Sequence, residues 1–264
     1  MTVVGFIGTG SMGGALACAV AESGLAELLL CNRSPEKAQR LAEQLGAQVV
    51  SAEEAAERAD YLFLGVKPKQ APAVLTGLIP RFKARAVPPV LVSMCAGVEL
   101  QTLRELTEGC CPVIRILPNI PVSVGAGVTF YTVSEDLSEA QLSGFQALMG
   151  RSGELVPMEE ALFDAGSAVA GCGGAFIAPF LEGLADGGLA CGLPRAQAYR
   201  LAELMVFGAA KWLLDKQKLP AELKDATCSP GGTSIRGVRA LEQAGLRSAA
   251  MEAVIAAYGG LDEL

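Results

Sequence analysis

The chain contains no histidine among its 264 residues, and this absence limits the chemistry that it can perform. Without histidine there is no Ser-His or Cys-His pair for nucleophilic catalysis, and the usual general base near neutral pH is missing. The eight cysteines include no CxxC pair, so we expect no bound metal and reduced cysteines that serve mostly in packing. The adjacent Cys110 and Cys111 are assigned to packing or a turn rather than to a redox role. We therefore predict a reaction that needs little proton transfer by side chains.

Positive charge is also scarce, because 21 Lys and Arg residues stand against 28 Asp and Glu residues, a net charge of −7. A broad interface with nucleic acid or anionic lipid depends on clustered basic side chains, so we expect neither partner. The first residues carry no basic leader and are typical of a strand, which favours a cytoplasmic location. The uncharged run 165–181 is short for a membrane span, and its glycines and Pro179 favour a packed interior helix.

The hydrophobic pattern divides the chain into two halves. Short apolar runs typical of strands alternate with helical patterns, and these runs lie at 3–7, 28–31, 48–50, 61–66, 90–93, 113–117, 128–131 and 154–156. The alternation predicts an α/β domain with a Rossmann-type parallel sheet over residues 1–157. Residues 158–264 are helical only, and segments 168–189 and 194–214 are apolar nearly all round. We expect this all-helical domain to form a homodimer or a higher homo-oligomer through that surface.

A glycine-rich segment follows the first predicted strand directly and opens a helical pattern. Its residues, Gly8, Thr9, Gly10, Ser11, Met12 and Gly13, have the GxGxxG spacing. In this context the first glycine allows a tight turn, the second admits a pyrophosphate, and the third lets the helix and strand pack closely. The segment therefore predicts a dinucleotide site.

The end of the second predicted strand indicates which dinucleotide binds. NAD-binding folds usually have Asp or Glu there, whereas this chain has Asn32, Arg33 and Ser34. An amide, a cation and a hydroxyl suit a 2′-phosphate, so we predict NADPH, with NADH as a second cofactor. The alternative for Arg33 is an ordinary solvated surface arginine. Residues that follow other strands at the same edge are also assigned to the cofactor: Val66, Lys67, Pro68, Ala96, Gly97 and Asn119.

A second small-residue segment, Ser229-Pro230-Gly231-Gly232-Thr233-Ser234, precedes a helical pattern in the second half. The amides that open a helix have no partner within the helix, so an anion arriving there finds donors and a favourable dipole. Adjacent glycines let the backbone approach a ligand closely. The segment predicts a grip on a small carboxylate. The alternative is an ordinary helix cap with Ser or Thr as the N-cap residue.

Taken together, these motifs resemble those of the pyrroline-5-carboxylate reductases. They are the GxGxxG segment, Asn32-Arg33-Ser34, Val66-Lys67-Pro68, Arg115-Ile116-Leu117-Pro118-Asn119, Gly187-Gly188 with Gly192-Leu193-Pro194, and Ser229 to Ser234. The resemblance implies a Rossmann domain that binds NAD(P)H and a helical domain that dimerises to complete the active site. It also implies reduction of the C=N bond of 1-pyrroline-5-carboxylate to L-proline, the final step of proline biosynthesis.

The same resemblance assigns roles to the residues of the second segment. Ser229, Gly231, Gly232 and Thr233 are implied to hold the carboxylate of the cyclic imino acid. Ser234 is implied to be the catalytic residue, whose hydroxyl meets the imine nitrogen. A protonated imine already carries its proton, so the missing histidine is no obstacle.

The chain departs from the family at several positions. Family members usually carry Ser-Gly-Pro-Ala-Tyr where this chain has Cys172-Gly173-Gly174-Ala175-Phe176, and that helix borders the substrate site, to which we assign Cys172. Ile120 stands where many members have Thr, and Ala52 where many have Asn. Two alternatives therefore stay open: a relative that reduces another cyclic imine, and a non-catalytic NADP(H)-binding protein. A β-hydroxyacid dehydrogenase is disfavoured, because segment 171–186 lacks the expected lysine.

Overall fold

The computed structural model describes residues 1–260, which form two units, Met1–Gly171 and a second unit that begins at Cys172. The last strand ends at Pro157, where the sequence places the end of the first domain. Contacts assign the short helical segment that follows, 158–171, to the first unit. The functional boundary between residues 157 and 158 stays a prediction, and residues 261–264 of the predicted second domain lie outside the described residues.

The first unit is built on one eight-stranded sheet. Its strands are β1 Thr2–Ile7, β2 Ala26–Cys31, β3 Gln48–Val49, β4 Tyr61–Leu64, β5 Val90–Ser93, β6 Val113–Pro118, β7 Gly127–Val133 and β8 Gly153–Pro157. Each strand lies on a predicted apolar run. The order across the sheet is β3-β2-β1-β4-β5-β6-β7-β8, and the first six strands are parallel. The predicted α/β class with a Rossmann-type sheet is confirmed.

One strand departs from the parallel pattern. β7 pairs antiparallel with β6, so that Ile116 lies opposite Tyr131. The connection between these strands covers only residues 119–126, whereas a crossover to a parallel strand takes roughly a dozen residues or more. A longer connection with a helix joins β7 to β8, and this pair is parallel. The departure lies at the far side of the sheet from β1, so the glycine-rich segment keeps its expected surroundings.

Seven α-helices belong to the first unit: α1 Ser11–Glu22, α2 Pro35–Leu45, α3 Ala52–Arg58, α4 Ala71–Lys83, α5 Leu100–Leu106, α6 Glu139–Met149 and the short α7 Phe163–Gly166. Local sequence sets several of their ends. α1 stops before Gly24, which has φ +69°, and Pro35 occupies the first turn of α2. Ser138 and Gln141 form a reciprocal capping box at the start of α6. A single-turn π-helix, Ser167–Gly171, follows α7.

Both faces of the sheet are covered by helices. On one face α1, α2 and α6 pack over β1 and β4, where the rings of Phe6 and Phe63 stack with centroids 4.6 Å apart. On the other face α3, α4 and α5 bury the leucines Leu62, Leu64 and Leu91. Burying a leucine or phenylalanine side chain fully stabilises the fold by about 1.5–3 kcal/mol. This double-sided core holds the carboxyl ends of the strands as a rigid platform.

The described part of the second unit is helical, with α8 Gly173–Ala190, α9 Arg195–Lys216, α10 Pro220–Thr227, α11 Thr233–Gln243 and α12 Leu246–Gly259. α8 and α9 approach closely at Gly188, where a Cβ would lie 3.3 Å from the Cβ of Ala198. Many large apolar side chains of these helices are exposed: Leu201, Leu204, Met205, Phe207, Leu214, Met251, Ile255 and Tyr258. An exposed apolar surface of this kind marks an interaction site.

The helical stretch Glu160–Ala190 is long and apolar enough to cross a membrane by length and composition, and 11% of its most apolar window is buried. It contains the uncharged run 165–181. The sequence predicts that this run packs inside the protein, but within the described chain Ala168 is its one buried residue, and about half of its residues are exposed.

Candidate active site

The carboxyl ends of the parallel strands meet at one edge of the sheet. The strand order β3-β2-β1-β4-β5-β6 changes direction between β1 and β4, and open α/β sheets bind ligands outside the strand ends at such a point. In dinucleotide-binding sheets of this order, each half of the sheet binds one nucleotide. The β1 to β3 half therefore suits the adenosine nucleotide, and the β4 to β6 half suits the nicotinamide nucleotide.

The segment between β1 and α1 has the backbone that a dinucleotide fingerprint requires. Gly8 has φ +98°, and a Cβ there would lie 2.4 Å from the carbonyl oxygen of Gly65. A Cβ on Gly13 would lie 2.1 Å from the carbonyl oxygen of Gly8, so only glycine lets α1 pack this closely on β1. At Gly10 the position of a Cβ is open space. The three glycines thus serve the turn, the close packing and ligand access separately.

A cavity of about 440 Å³ opens beside this segment. It is lined by predicted cofactor residues from three loops, namely Gly8, Gly10, Asn32, Arg33, Ser34, Val66 and Lys67. Ala52, where many family members have Asn, also lines the cavity. Lys37 and Gln70 line it as well, and neither was predicted from the sequence to bind the cofactor. Lys37 lies in the first turn of α2, three residues after Ser34. This spacing is a local signal that could have identified it.

The electrostatics of the cavity favour an anion. Three cations, Arg33, Lys37 and Lys67, line it, and none of its described lining residues is acidic. The whole chain has a net charge of −7, so this concentration of positive charge is local. It suits a phosphate-bearing ligand.

The hydroxyl of Thr9 provides a further test of whether these residues suit a bound NAD(P)H. Thr9 is 7% exposed, and its Oγ1 is buried without a hydrogen-bond partner within residues 1–260. A buried polar group left unpaired costs about 1–3 kcal/mol, so a ligand that pairs with it is favoured. Thr9 lies between Gly8 and the open backbone at Gly10. The orphan hydroxyl, the open backbone, the start of α1 and the three cations all fit a bound NAD(P)H.

The remaining predicted cofactor residues lie outside the lining of this cavity: Thr9, Ser11, Met12, Gly13, Pro68, Ala96, Gly97 and Asn119. Ser11 and Met12 open α1, and Pro68 begins a short 3-10 turn after β4. Ala96 and Gly97 form the tip of a tight turn after β5, in which the amide of Val98 donates to the carbonyl oxygen of Cys95 at 3.3 Å. This turn belongs to the half of the edge that suits the nicotinamide.

Asn119 follows β6, and its side chain forms two hydrogen bonds within the first unit. Its Oδ1 accepts from the amide of Val128 at 2.9 Å, and its Nδ2 donates to the carbonyl oxygen of Ala170 at 3.1 Å. These bonds join the end of β6 to the start of β7 and to the π-helix. The side chain therefore has a structural role here, and its assignment to the cofactor stays a prediction.

The cysteines are free thiols. Burial and, to a smaller extent, the nearby Glu53 carboxylate raise the pKa of Cys31, which lines the cavity. Burial raises the pKa of Cys111 to about 12, and the pKa of Cys110 is raised for the same reason. These thiols stay protonated at neutral pH, and thiols rather than thiolates are poor nucleophiles. Within residues 1–260 no group of three or more His, Cys, Asp or Glu side chains could hold a metal ion.

The Ser229 to Ser234 segment forms a tight turn that leads into α11. The amide of Gly232 donates to the carbonyl oxygen of Ser229 at 3.0 Å, and Gly231 has φ +70°. Proline at the second position and a glycine with positive φ at the third are the requirements of a type II turn. A Cβ on Gly232 would lie 2.4 Å from Oγ of Ser229, so a larger residue there would require the Ser229 side chain to rotate, whereas the positive φ of Gly231 itself requires glycine.

The alternative of a Ser or Thr N-cap is wrong for this segment. The N-cap residue of α11 is Gly232, and no side chain caps the helix. Thr233 and Ser234 are the first two residues of α11, so their amides have no partner within the helix. The amides and the Ser234 hydroxyl thus lie together at a helix N-terminus, as an anion site requires.

The positions that depart from the family pattern are all accessible. Cys172 precedes α8 as its N-cap residue and is half-buried, as is Phe176 within the helix. A Cβ on Gly174 would meet no atom within 4 Å, so packing within the described chain does not impose glycine there. Ile120 is 78% exposed in the loop after β6.

Comparison with known proteins identifies the family. The sequence model described as pyrroline-5-carboxylate reductase dimerisation matches residues 160–264, and one described as NADP oxidoreductase, coenzyme F420-dependent, matches residues 3–97. A pyrroline-5-carboxylate reductase from Synechocystis is 40% identical over 99% of this chain and 97% of its own length.

Solved structures agree with this result. A pyrroline-5-carboxylate reductase from Coxiella burnetii has a TM-score of 0.90 at 26% identity, with 98% of this chain and 97% of that chain covered. The Plasmodium falciparum pyrroline carboxylate reductase, solved with NADP bound, has a TM-score of 0.83 at 26% identity, with the same coverage. The chain belongs to the pyrroline-5-carboxylate reductase family.

Proposed function

We propose that the chain transfers a hydride from NAD(P)H to the C=N bond of 1-pyrroline-5-carboxylate and so forms L-proline, the final step of proline biosynthesis. The observation that carries the proposal is the cavity in which the glycine fingerprint meets three cations. This cavity lies in a chain that aligns over 99% of its length with a pyrroline-5-carboxylate reductase.

The adenosine end of the cofactor is proposed to lie against the loop after β2. Arg33 and Lys37 are cations on one side of the cavity, with the Ser34 hydroxyl between them in the chain. Their charges suit the 2′-phosphate that distinguishes NADPH from NADH. Gly10, the Thr9 hydroxyl and the first amides of α1 are proposed to meet the pyrophosphate. Ala96, Gly97 and Asn119, which the sequence assigns to the cofactor, are proposed to lie on the nicotinamide side.

The substrate carboxylate is proposed to bind at the start of α11. The turn already uses the amide of Gly232, because that amide donates to Ser229. We therefore propose that the carboxylate takes the amides of Thr233 and Ser234, with Ser229 and Gly231 beside it. The helix dipole adds a favourable contribution of about 0.3–1 kcal/mol for a negative charge at this end.

The chemistry asks little of the side chains. When bound, NAD(P)H supplies the hydride. The protonated imine brings its own proton, which agrees with a chain that has no histidine. The protein holds and orients the imino acid, and correct orientation of two bound reactants lowers a barrier by about 7–11 kcal/mol. The hydroxyl of Ser234 is proposed to hold the imine nitrogen as its charge changes during the reaction.

The assembly is proposed to be a homodimer, or a higher homo-oligomer, in the cytoplasm. The exposed apolar side chains of α8, α9 and α12 lie in the region that the dimerisation model matches. A second subunit on this surface would also cover the apolar stretch Glu160–Ala190. Nothing on this surface then needs a membrane, and the net charge of −7 disfavours nucleic acid.

The test is oxidation of NADPH by the purified protein with five- and six-membered cyclic imino acids. We expect turnover with the five-membered compound, 1-pyrroline-5-carboxylate, in preference to the six-membered one. A preference for the six-membered compound would assign the chain to another cyclic imine, which the departures at Cys172, Gly174 and Phe176 would then explain. NADPH binding without turnover on either compound would identify a non-catalytic relative.

A further inference from the structure

Arg115 is a buried cation that the proposed mechanism does not use. It lies in β6 and is 5% exposed. Its guanidinium lies 4.8 Å from the centroid of the Phe163 ring, and its Nη1 lies 2.5 Å from Oε1 of Glu160. The same carboxylate oxygen accepts a hydrogen bond from the amide of Leu100 at 2.6 Å. A chain of polar contacts therefore runs from the middle of β6 to the start of α5.

The hydrogen bond from Leu100 to Glu160 caps the start of α5. The N-cap residue of the helix, Glu99, provides no side-chain hydrogen bond. The amide of Leu100 would lack a partner within the helix, and Glu160 supplies one from sixty residues further along the chain. Leu100 follows the turn whose tip is Ala96 and Gly97 by only three residues. Glu160 therefore anchors the carboxyl side of that turn.

The amino side of the turn is anchored separately. The amide of Met94 donates to the carbonyl oxygen of Leu64 at 3.1 Å, and the Sγ of Cys95 lies 3.4 Å from the carbonyl oxygen of Val66. These contacts tie the turn to β4, whose following residues line the cofactor cavity. The tip at Ala96 and Gly97 is thus held from both sides, and the carboxyl-side anchor depends on Glu160, a side chain that lies far from the turn in the sequence.

The Arg115 to Glu160 pair differs from the other ion pairs of the first unit in its burial. Arg81 and Glu57, for example, pair at 2.8 Å with both side chains about half exposed. Exposed pairs contribute about 0–1 kcal/mol, whereas loss of one partner of a buried pair leaves an uncompensated charge and costs several times more. Arg115 therefore restricts where the Glu160 carboxylate can lie, and Glu160 in turn restricts Leu100.

We propose that Arg115 is a positioning residue for the nicotinamide half of the cofactor. It acts through Glu160 to hold the Ala96 to Gly97 turn where the nicotinamide half of the cofactor binds. This inference deepens the proposed function and rests on the NAD(P)H site assigned above. It separates two parts of the cofactor site: the adenosine half depends on the loops after β1 and β2, and the nicotinamide half depends on this buried pair.

The experiment compares two ligands on the full-length protein. NADPH contacts both halves of the site, whereas 2′,5′-ADP carries only the adenosine half. For Arg115→Met and for Glu160→Met, which removes the acceptor of the Leu100 amide, we expect the Kd of NADPH to rise about fivefold or more, as for coupled residues in contact. The Kd of 2′,5′-ADP should stay within about twofold of the unchanged protein, since its contacts are distant from the change. Glu160→Met keeps the length of the side chain and removes the acceptor that Leu100 and Arg115 share, so it remains informative if Arg115→Met does not fold.

Arg85→Met is the matched control. Arg85 is a half-buried arginine of the same unit, and its Nη1 donates to the carbonyl oxygens of Ala56 at 3.0 Å and Ala59 at 2.6 Å. This variant should lower the Tm and leave the ratio of the two Kd values unchanged. Equal changes in both Kd values for the Arg115 and Glu160 variants, or no change in either, would overturn the proposal. An unaltered protein that binds neither ligand would instead overturn the proposed function, on which this inference depends.

Discussion

Two adjacent glycines in α1 allow a sharp test of how the dinucleotide fingerprint works. A Cβ on Gly13 would lie 2.1 Å from the carbonyl oxygen of Gly8. A Cβ on Gly14 would meet nothing closer than 3.8 Å, where it touches Leu41 and Thr9 in ordinary contact. The variants Gly13→Ala and Gly14→Ala therefore add the same methyl group to neighbouring positions of one helix, with opposite steric consequences.

The size of the difference follows from these distances. At Gly13 the obstacle is backbone, so α1 and the turn at Gly8 must separate by roughly 1 Å, and overpacking of this kind costs about 1–3 kcal/mol. At Gly14 the methyl group is tolerated, and alanine improves helix propensity by up to about 1 kcal/mol. A difference of about 2–3 kcal/mol between the variants corresponds to about 4–12 °C in Tm for a chain of this size.

The assay is a thermal melt of both variants with NADPH titrations on the same samples. We expect Gly13→Ala to melt lower than Gly14→Ala and to bind NADPH about tenfold more weakly or worse, because the displaced helix start withdraws its amides from the pyrophosphate. Gly14→Ala should bind NADPH as the unchanged protein does. Equal Tm values and equal affinities for the two variants would refute the reasoning that the third glycine sets the distance between α1 and β1.

Three further predictions concern the cofactor, the substrate and the assembly. Arg33→Ala and Lys37→Ala should each weaken NADPH about tenfold and change NADH little, because each removes one cation from the 2′-phosphate; equal losses for both dinucleotides in titrations would contradict that assignment. Ser234→Ala should lower kcat while leaving the Kd of NADPH nearly intact, and unchanged turnover would remove Ser234 from the mechanism. Phe207→Glu should shift the protein toward the monomer in analytical ultracentrifugation. The control Val87→Glu should not, although the two residues are similarly exposed, at 64% for Phe207 and 69% for Val87. An unchanged sedimentation profile for Phe207→Glu would place the interface elsewhere.

The sequence was most predictive where a residue type has one physical use. Gly8 and Gly13 stand at positions where any Cβ would collide with backbone, so the GxGxxG spacing already implies the turn and the close helix contact. Lys37 was missed, although the local sequence around it holds enough information to predict that it lines the cofactor cavity. Ser34 and Pro35 predict the start of α2, and a residue in its first turn faces the same ligand, so a helical projection would have added Lys37 to the site.

Long-range features were not accessible in the same way. The antiparallel direction of β7 depends on the short connection after β6, and only the length of that connection hinted at it. The contact between Arg115 and Glu160 joins residues 45 positions apart, and the sequence shows each only as one charged residue among many. Such pairs become visible when the sheet brings their strands and loops together.

At the Ser229 to Ser234 segment, the local sequence pattern and the hydrogen bonds of the structure have to be considered together. Its glycines and its place before a helix predict an anion site, and the same residues also suit a simple cap. The structure excludes a Ser or Thr cap, because Gly232 is the N-cap residue of α11. The hydrogen bond from the amide of Gly232 to Ser229 closes the turn and removes that donor from any ligand. Because no side chain caps α11, the amides of Thr233 and Ser234 keep their capacity to bind. Glycine is itself a common N-cap residue, so the missing side-chain cap does not by itself identify a ligand, and the binding of a substrate carboxylate by these amides stays a prediction that the Ser234→Ala and substrate assays test.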